Sequence, residues 1–312
     1  FVDGRYTFQA KEQVDGSQIF LEHLSRFPEK LSRYFIKNEC LALDPSLHSI
    51  EEIIKYVDLS VKSETKLYFT EDNLIDELWD NKPIRNYGLV FDHPKNFAGI
   101  ESSKKLEHVI ETLDKNNLGA YFLSSLDSIA WLLNLRGSDI LNTPLAFAFL
   151  LISLDDKPVL YVKIDMVEPV LKARLAKYIN IEPIEKIKEV FNDLNHQTKI
   201  GFDFKNSSYF FYDLAIKKNC VPSHLENPCL IPKASKNAVE LEGARKAHIR
   251  DGVSVTKFLY WLKNHQNIEN ENEISAANKL FSFRNSNDLF HSISFDTISA
   301  IGKNAALPHY RY

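Results

Sequence analysis

The residue best placed for chemistry is His309, set between Pro308 and Tyr310 in the run SFDTISAIGKNAALPHYRY at residues 294–312. A β-prone stretch (Phe295, Thr297, Ile298) leads into a Gly-Lys-Asn turn and then delivers the histidine. An imidazole gains and loses a proton near neutral pH, so a histidine on such a loop is suited to proton transfer or polar recognition. By itself it reads as a surface histidine after a proline. The other histidines, of ten in all, are scattered without metal-ligand spacing. The phosphate loop G-x-x-x-x-G-K-[ST] and the motifs G-x-G-x-x-G, G-x-S-x-G and H-E-x-x-H do not occur. From spacing alone the chain is a multi-domain α/β protein of undefined activity.

The elements that must position these residues alternate strand and helix, which predicts an α/β architecture. In a first block, residues 1–6, 18–24, 40–43 and 66–70 read as strands, 9–14 as a short helix and 50–57 as an apolar-periodic helix. Pro83 ends the block, and 87–96 reads as a linker. A second block begins near Phe97 with a helix around Leu106, Val109 and Leu113, capped at Gly119. A strand at 120–123, a helix within 126–135 and a hairpin of 145–154 with 158–163 about Asp155, Asp156 and Lys157 follow. A helix at 209–218 and a second linker at 221–232 close that block. In the third, Asn237 and Glu240 form a capping box before a helix of about seven turns, with Leu241, Ala244, His248, Gly252, Val255, Leu259 and Leu262 along one face. A second helix spans 273–283. On this pattern His248 is a core histidine, and Trp131 with its leucines is helix packing. Arg136 and Asp139 are placed to pair as ions, and Lys104 and Lys105 sit on a solvated helix face.

A chain of 312 residues and 36.0 kDa predicts two to three domains. A net charge of -4 and a pI near 6.2 supply no basic field, which argues against nucleic acid as a partner. Cys40, Cys220 and Cys229 are odd in number and far apart, so they are expected as free thiols in a reducing compartment. The apolar run 145–154 is too short to span a bilayer and predicts a buried strand, hence no membrane partner. Asn206, Ser207 and Ser208 form a formal glycosylation sequon with no expected use in that compartment. The chain does not begin with Met, both ends read as cuts through a longer protein, and the cytoplasm is the expected location.

Four stretches together resemble the cytosolic-type Xaa-Pro aminopeptidases (aminopeptidase P) of the creatinase superfamily. They are FVDGRYTFQA from Phe1, SSLDSIAWLLNLRGSDILNTPLAFAFLLI from Ser124, KNAVELEGARKAHIRDGVSVTKFLYWL from Lys236, and SFDTISAIGKNAALPHYRY from Ser294. They occur in the family's order and at its approximate spacing. The resemblance implies two creatinase-N-like α/β domains, here 1–93 and 97–230, followed by the start of a pita-bread catalytic domain at 233–312. It implies hydrolysis of the bond before a penultimate proline by a hydroxide held on two manganese ions. Their ligands, two Asp, one His and two Glu, are expected beyond Tyr312. No residue of this chain is assigned to metal, and the chain alone is expected to be inactive.

By the same resemblance His309 is the active-site histidine that hydrogen-bonds the substrate carbonyl or tetrahedral intermediate. Arg5 matches an arginine used in peptide-substrate binding; its residue context equally allows a salt bridge with Asp3. The implied partners are peptides with proline in second position and a second copy of the chain, in a homodimer. Two alternatives stand beside this reading. One is a non-catalytic relative that uses the pita-bread scaffold to bind peptides or proteins, the other a creatinase- or prolidase-like hydrolase.

Overall fold

Residues Ala120–Leu123 are buried at all four positions, so this strand has no face left for solvent. In the computed structural model, which describes residues 1–16 and 22–312, it lies inside a six-stranded mixed sheet. The order across the sheet is Val221–His224, Lys199–Phe202, Ala120–Leu123, Ala148–Ser153, Val159–Val162 and Asn180–Pro183. Ala120–Leu123 runs parallel to Lys199–Phe202 and antiparallel to Ala148–Ser153. The two outer pairs are parallel, and the central hairpin of Ala148–Ser153 with Val159–Val162 is antiparallel.

Alternate residues of a strand point to opposite faces, and here both faces are apolar. Tyr121, Leu123, Leu150, Ile152, Leu160 and Val162 pack with Leu106, Val109 and Leu113 of the helix Ser102–Lys115 and with Ile129 and Leu132 of Leu126–Leu132. Ala120, Phe122, Leu151, Ile200 and Phe202 form the other cluster, with Phe191 and with Phe211 of the helix Tyr209–Lys217. Phe122 is its centre, with ring centroids 4.4 Å from Phe211, 5.6 Å from Phe191 and 5.9 Å from Phe202.

The chain divides into two compact units. This sheet and its helices belong to the larger, Ala42–Asp58 with Leu67–Gly243; the other comprises Phe1–Leu41, Leu59–Lys66 and Ala244–Tyr312. The α/β architecture is the one expected, and the hairpin about Asp155 and Asp156 forms, with both amides donating to Ser153 Oγ. Several local expectations are corrected. The stretch 87–96 is not a linker, because Val90–Asp92 pairs antiparallel with Leu135–Gly137. Nor is 221–232, which supplies the edge strand Val221–His224. The helix Ser102–Lys115 ends through Asn117 at φ 53°, not through Gly119, since an asparagine tolerates the left-handed turn. The strand expected at 18–24 falls largely on residues 17–21, outside those described.

Lys105 is not on a solvated face. It is buried, donating from Nζ to the Trp131 carbonyl at 2.8 Å and to Asn134 Oδ1 at 2.7 Å, with the Trp131 ring 4.4 Å away. Its charge is met by oxygen and a π face, which is what makes burial tolerable. Arg174 plays a similar part nearby, donating to Asp92 Oδ1, Ser102 Oγ, Tyr178 Oη and the carbonyls of Leu133 and Asn134. Arg136 and Asp139 do not pair as expected. Arg136 donates to the Ala130 and Leu135 carbonyls, whereas the Asp139 carboxylate takes the amides of Gly88 and Phe147. The formal sequon is a folding device: Asn206 donates to Asp203, and Ser208 caps the helix Tyr209–Lys217. The three cysteines are free thiols, and burial pushes Cys229 up to about 12.

In the smaller unit the helix Glu273–Asn285 meets the part of the helix Ala238–Asn264 that follows Gly243, through Ser254, which donates to the Phe283 carbonyl, and through the paired contacts of Arg284 with Asp251. The expected capping box forms: Asn237 Oδ1 accepts from the amides of Val239 and Glu240, and Glu240 accepts from the Asn237 amide. The expected core stripe of the long helix lies open, with Leu259 52 % exposed and His248 exposed, its Nδ1 near the Ala244 carbonyl. Among the described residues no helix is long and apolar enough to cross a membrane.

Two measurements check this account. Phe122→Ala is expected to cost about 3–5 kcal/mol in urea unfolding, because it opens a cavity between the rings of Phe149, Phe191, Phe202 and Phe211. Burial lowers the Lys105 amine from 10.5 to about 8, so between those values the unfolded chain holds a proton that the folded chain does not. Wild-type stability should therefore rise against Lys105→Met as pH increases from about 8 to about 10.5, as read by paired urea titrations.

Candidate functional site

At the N-terminus, residues 1–6 are not a strand. Only Val2 pairs, in a parallel bridge with His23, and Gly4–Tyr6 winds into a 3-10 turn. Asp3 is the reason: its Oδ1 accepts both the Arg5 amide at 3.0 Å and Arg5 Nε at 2.8 Å. The Arg5 side-chain bond holds the Asp3 carboxyl below the usual range, and Asp3 in turn raises the guanidinium. Arg5 remains exposed, so this ion pair orients it at the surface without burying it.

The loop carrying His309 is built differently from the expected strand. Residues 294–300 join no ladder, and Gly302–Ala306 is a 3-10 turn. Glu273, the first residue of the helix Glu273–Asn285, anchors it. Its Oε1 accepts the Ile301 amide at 2.7 Å and Asn304 Nδ2 at 3.1 Å, and Asn304 also donates to Tyr310 Oη at 3.0 Å. A carboxylate at a helix N-terminus is favoured by the helix dipole, and the Ile301 amide does most to hold Glu273 below its ordinary value. Loss of solvent, then Glu273, raises the Tyr310 phenol. His309 itself takes φ 52°, in the left-handed region unusual for a non-glycine residue.

These two ends of the chain meet. Tyr6 Oη and His309 Nδ1 lie 2.8 Å apart, across 303 positions of sequence. The structure thus brings His309 to the turn that carries Arg5, through the tyrosine next to it. Tyr6 and Glu273 were not singled out in the sequence; the tyrosine of Asp3-Gly4-Arg5-Tyr6 was the available signal for the first, while Glu273 carried none beyond its place at a helix start.

Preceding residues of the same loop, Ser294, Phe295, Thr297 and Ile298, wall a hollow of about 600 Å³ with Arg250 and Arg284. His309 and Arg5 do not line it. In the larger unit, loss of solvent and the nearby Arg136 and Lys105 charges lower His93 to about 4, so it is a neutral packing imidazole against Phe97. Among the described residues no group of three or more His, Cys, Asp or Glu side chains could hold a metal ion.

A six-stranded mixed sheet covered on both faces, followed in sequence by two helices and a histidine loop, defines an α/β scaffold. The family model of the creatinase/prolidase N-terminal domain matches residues 81–240, and the chain belongs to that family. It is 32 % identical to the probable Xaa-Pro aminopeptidase P of Coccidioides posadasii over 99 % of its own length and 53 % of that protein. To the probable Xaa-Pro aminopeptidase P of Penicillium rubens it is 31 % identical, covering 99 % of this chain and 52 % of the relative. Among solved structures, the X-prolyl aminopeptidase of Caenorhabditis elegans, described as a cytosolic enzyme with a di-nuclear active site, superposes with a TM-score of 0.86. That match covers 99 % of this chain and 52 % of that one, at 26 % identity. The chain spans about half the length of these relatives.

The Glu273 anchor sets a testable condition on the loop. Because its carboxyl is depressed below 4.5, the anchor is complete above that value and is lost only as pH falls through the lower folded value. Glu273→Ala should abolish hydrogen-exchange protection of the Ile301 amide at neutral pH while leaving the amides of Tyr121 and Phe122 protected.

Proposed function

We propose that this chain is the substrate-side portion of a metal-dependent Xaa-Pro aminopeptidase, which removes the first residue of a peptide whose second residue is proline. The single observation that carries the reading is the meeting of the Arg5-Tyr6 turn with His309, within a chain similar along its whole length to enzymes so named. On this reading the whole protein has three parts, at 1–93, 97–230 and from 233 onward. It forms a homodimer in the cytoplasm and binds two manganese ions.

The described residues of this chain do not fit such an ion pair, since they gather no cluster of donors for it. Its contribution lies with the peptide. His309 donates a hydrogen bond to the oxygen of the scissile carbonyl, where negative charge develops, and is positioned to pass a proton. Arg5 offers further N–H donors to a peptide carbonyl or terminal carboxylate. The Asp3 ion pair limits the rotamers of Arg5 and so lowers the entropy lost when a peptide binds.

The experiment uses the full-length protein supplied with manganese. It should release the N-terminal residue from a peptide with proline second and spare the same peptide with alanine there. His309→Ala should reduce kcat by roughly 10²–10³-fold. Arg5→Met should act mainly on KM, and the 312-residue chain alone should be inactive. Peptide binding without cleavage would sink the reading and return the non-catalytic scaffold.

A further inference from the structure

We propose that Tyr6 is a positioning residue for His309: its phenol donates to Nδ1 and holds the imidazole in the tautomer that carries its proton on Nε2. The inference rests on the assignment of His309 to the substrate side. Neutral imidazole has one donor and one acceptor nitrogen, and the partner of one decides the state of the other. A phenol is a good donor and a weak acceptor, and an unprotonated imidazole nitrogen is a strong acceptor. The 2.8 Å contact is therefore O–H to Nδ1, which leaves Nε2–H free to meet a carbonyl oxygen.

Both ends of this bond are fixed by separate devices. Tyr6 is the last residue of a 3-10 turn that Asp3 caps at the Arg5 amide, so the hydroxyl is carried on a short, closed piece of backbone. His309 is carried on a loop tied at Ile301 and Asn304 to Glu273, and its own backbone is held in the left-handed region at φ 52°. A left-handed histidine costs free energy that a loop of free choice would avoid. The arrangement also explains the adjacency of Arg5 and Tyr6: one turn sends its guanidinium to the Asp3 carboxylate and its neighbour's hydroxyl to the imidazole.

The consequence is a donor of fixed direction. A histidine free to exchange tautomers would present Nε2 part of the time as an acceptor, which cannot stabilise a developing oxyanion. Tyr6 removes that fraction and restricts rotation of the ring. It touches neither substrate nor reacting atoms, so its removal should cost turnover more than binding.

The test reads tautomer and turnover separately, in the full-length protein. Histidine-selective 15N NMR at mildly alkaline pH, with the His309 signals identified by their loss in His309→Gln, should show Nδ1 unprotonated and hydrogen-bonded and Nε2 protonated. In Tyr6→Phe the two nitrogens should move toward the averaged values of exchanging tautomers. The same variant should lower kcat roughly tenfold or more with KM changed less than about threefold. A protonated Nδ1 in the wild type, or a tautomer unaltered in Tyr6→Phe, would overturn the proposal. So would unchanged kcat in a variant whose tautomer has shifted. If the wild type cleaves no Xaa-Pro peptide, the functional assignment fails on its own, and the NMR result still decides whether Tyr6 sets the tautomer.

Discussion

A strand with both faces buried is the constraint on which the larger unit depends. Ala120–Leu123 carries only apolar groups apart from the Tyr121 hydroxyl, which donates to the Leu225 carbonyl, so its neighbours must supply apolar cover or hydrogen bonds. The two clusters that result differ in character. One is largely aliphatic, built from Leu106, Val109, Leu113, Leu150 and Ile152; the other is a stack of aromatic rings around Phe122. Because the residues of one strand serve both clusters in alternation, neither can be repacked without moving the other.

Polar groups buried at the edges of this core are satisfied, not excluded. Lys105 and Arg174 each gather oxygen acceptors from several elements, and among the described residues no buried side-chain nitrogen or oxygen lacks a hydrogen-bond partner. Such cations are costly to bury and become tolerable only when their acceptors are supplied together. They tie the strand Val90–Asp92, the helix Ser102–Lys115 and the turn at Asn134 into one frame. The frame is a polar counterpart to the apolar sheet.

In the smaller unit the order of influence is reversed. The long helix keeps much of its apolar stripe in the open, and local polar contacts do most of the placing: Asp3 on Arg5, Glu273 on Ile301 and Asn304, Tyr6 on His309. Each is exposed or partly exposed and individually modest, as hydrogen bonds in water contact are. Their joint effect is directional. They bring one imidazole to the turn that bears Arg5.

Much of the fold was legible in the residues, because runs such as AYFL and AFLLIS, the Asn237–Glu240 box and the Asp155-Asp156 turn report local preferences that the tertiary structure keeps. The family and the identity of His309 and Arg5 as candidates were legible too, through four ordered stretches. What the sequence could not settle concerns partners. Phe295, Thr297 and Ile298 favour a strand but join no ladder, since a strand needs a neighbouring edge as well as propensity. Lys105 looks like any surface lysine until Trp131 and Asn134 are placed around it. The sequence by itself determined the family resemblance, the candidate residues it singles out and the burial of runs such as AYFL. Only the tertiary structure decided that Tyr6 meets His309 across 303 positions, because a hydrogen bond between distant segments depends on where the chain folds them and leaves no periodicity to read.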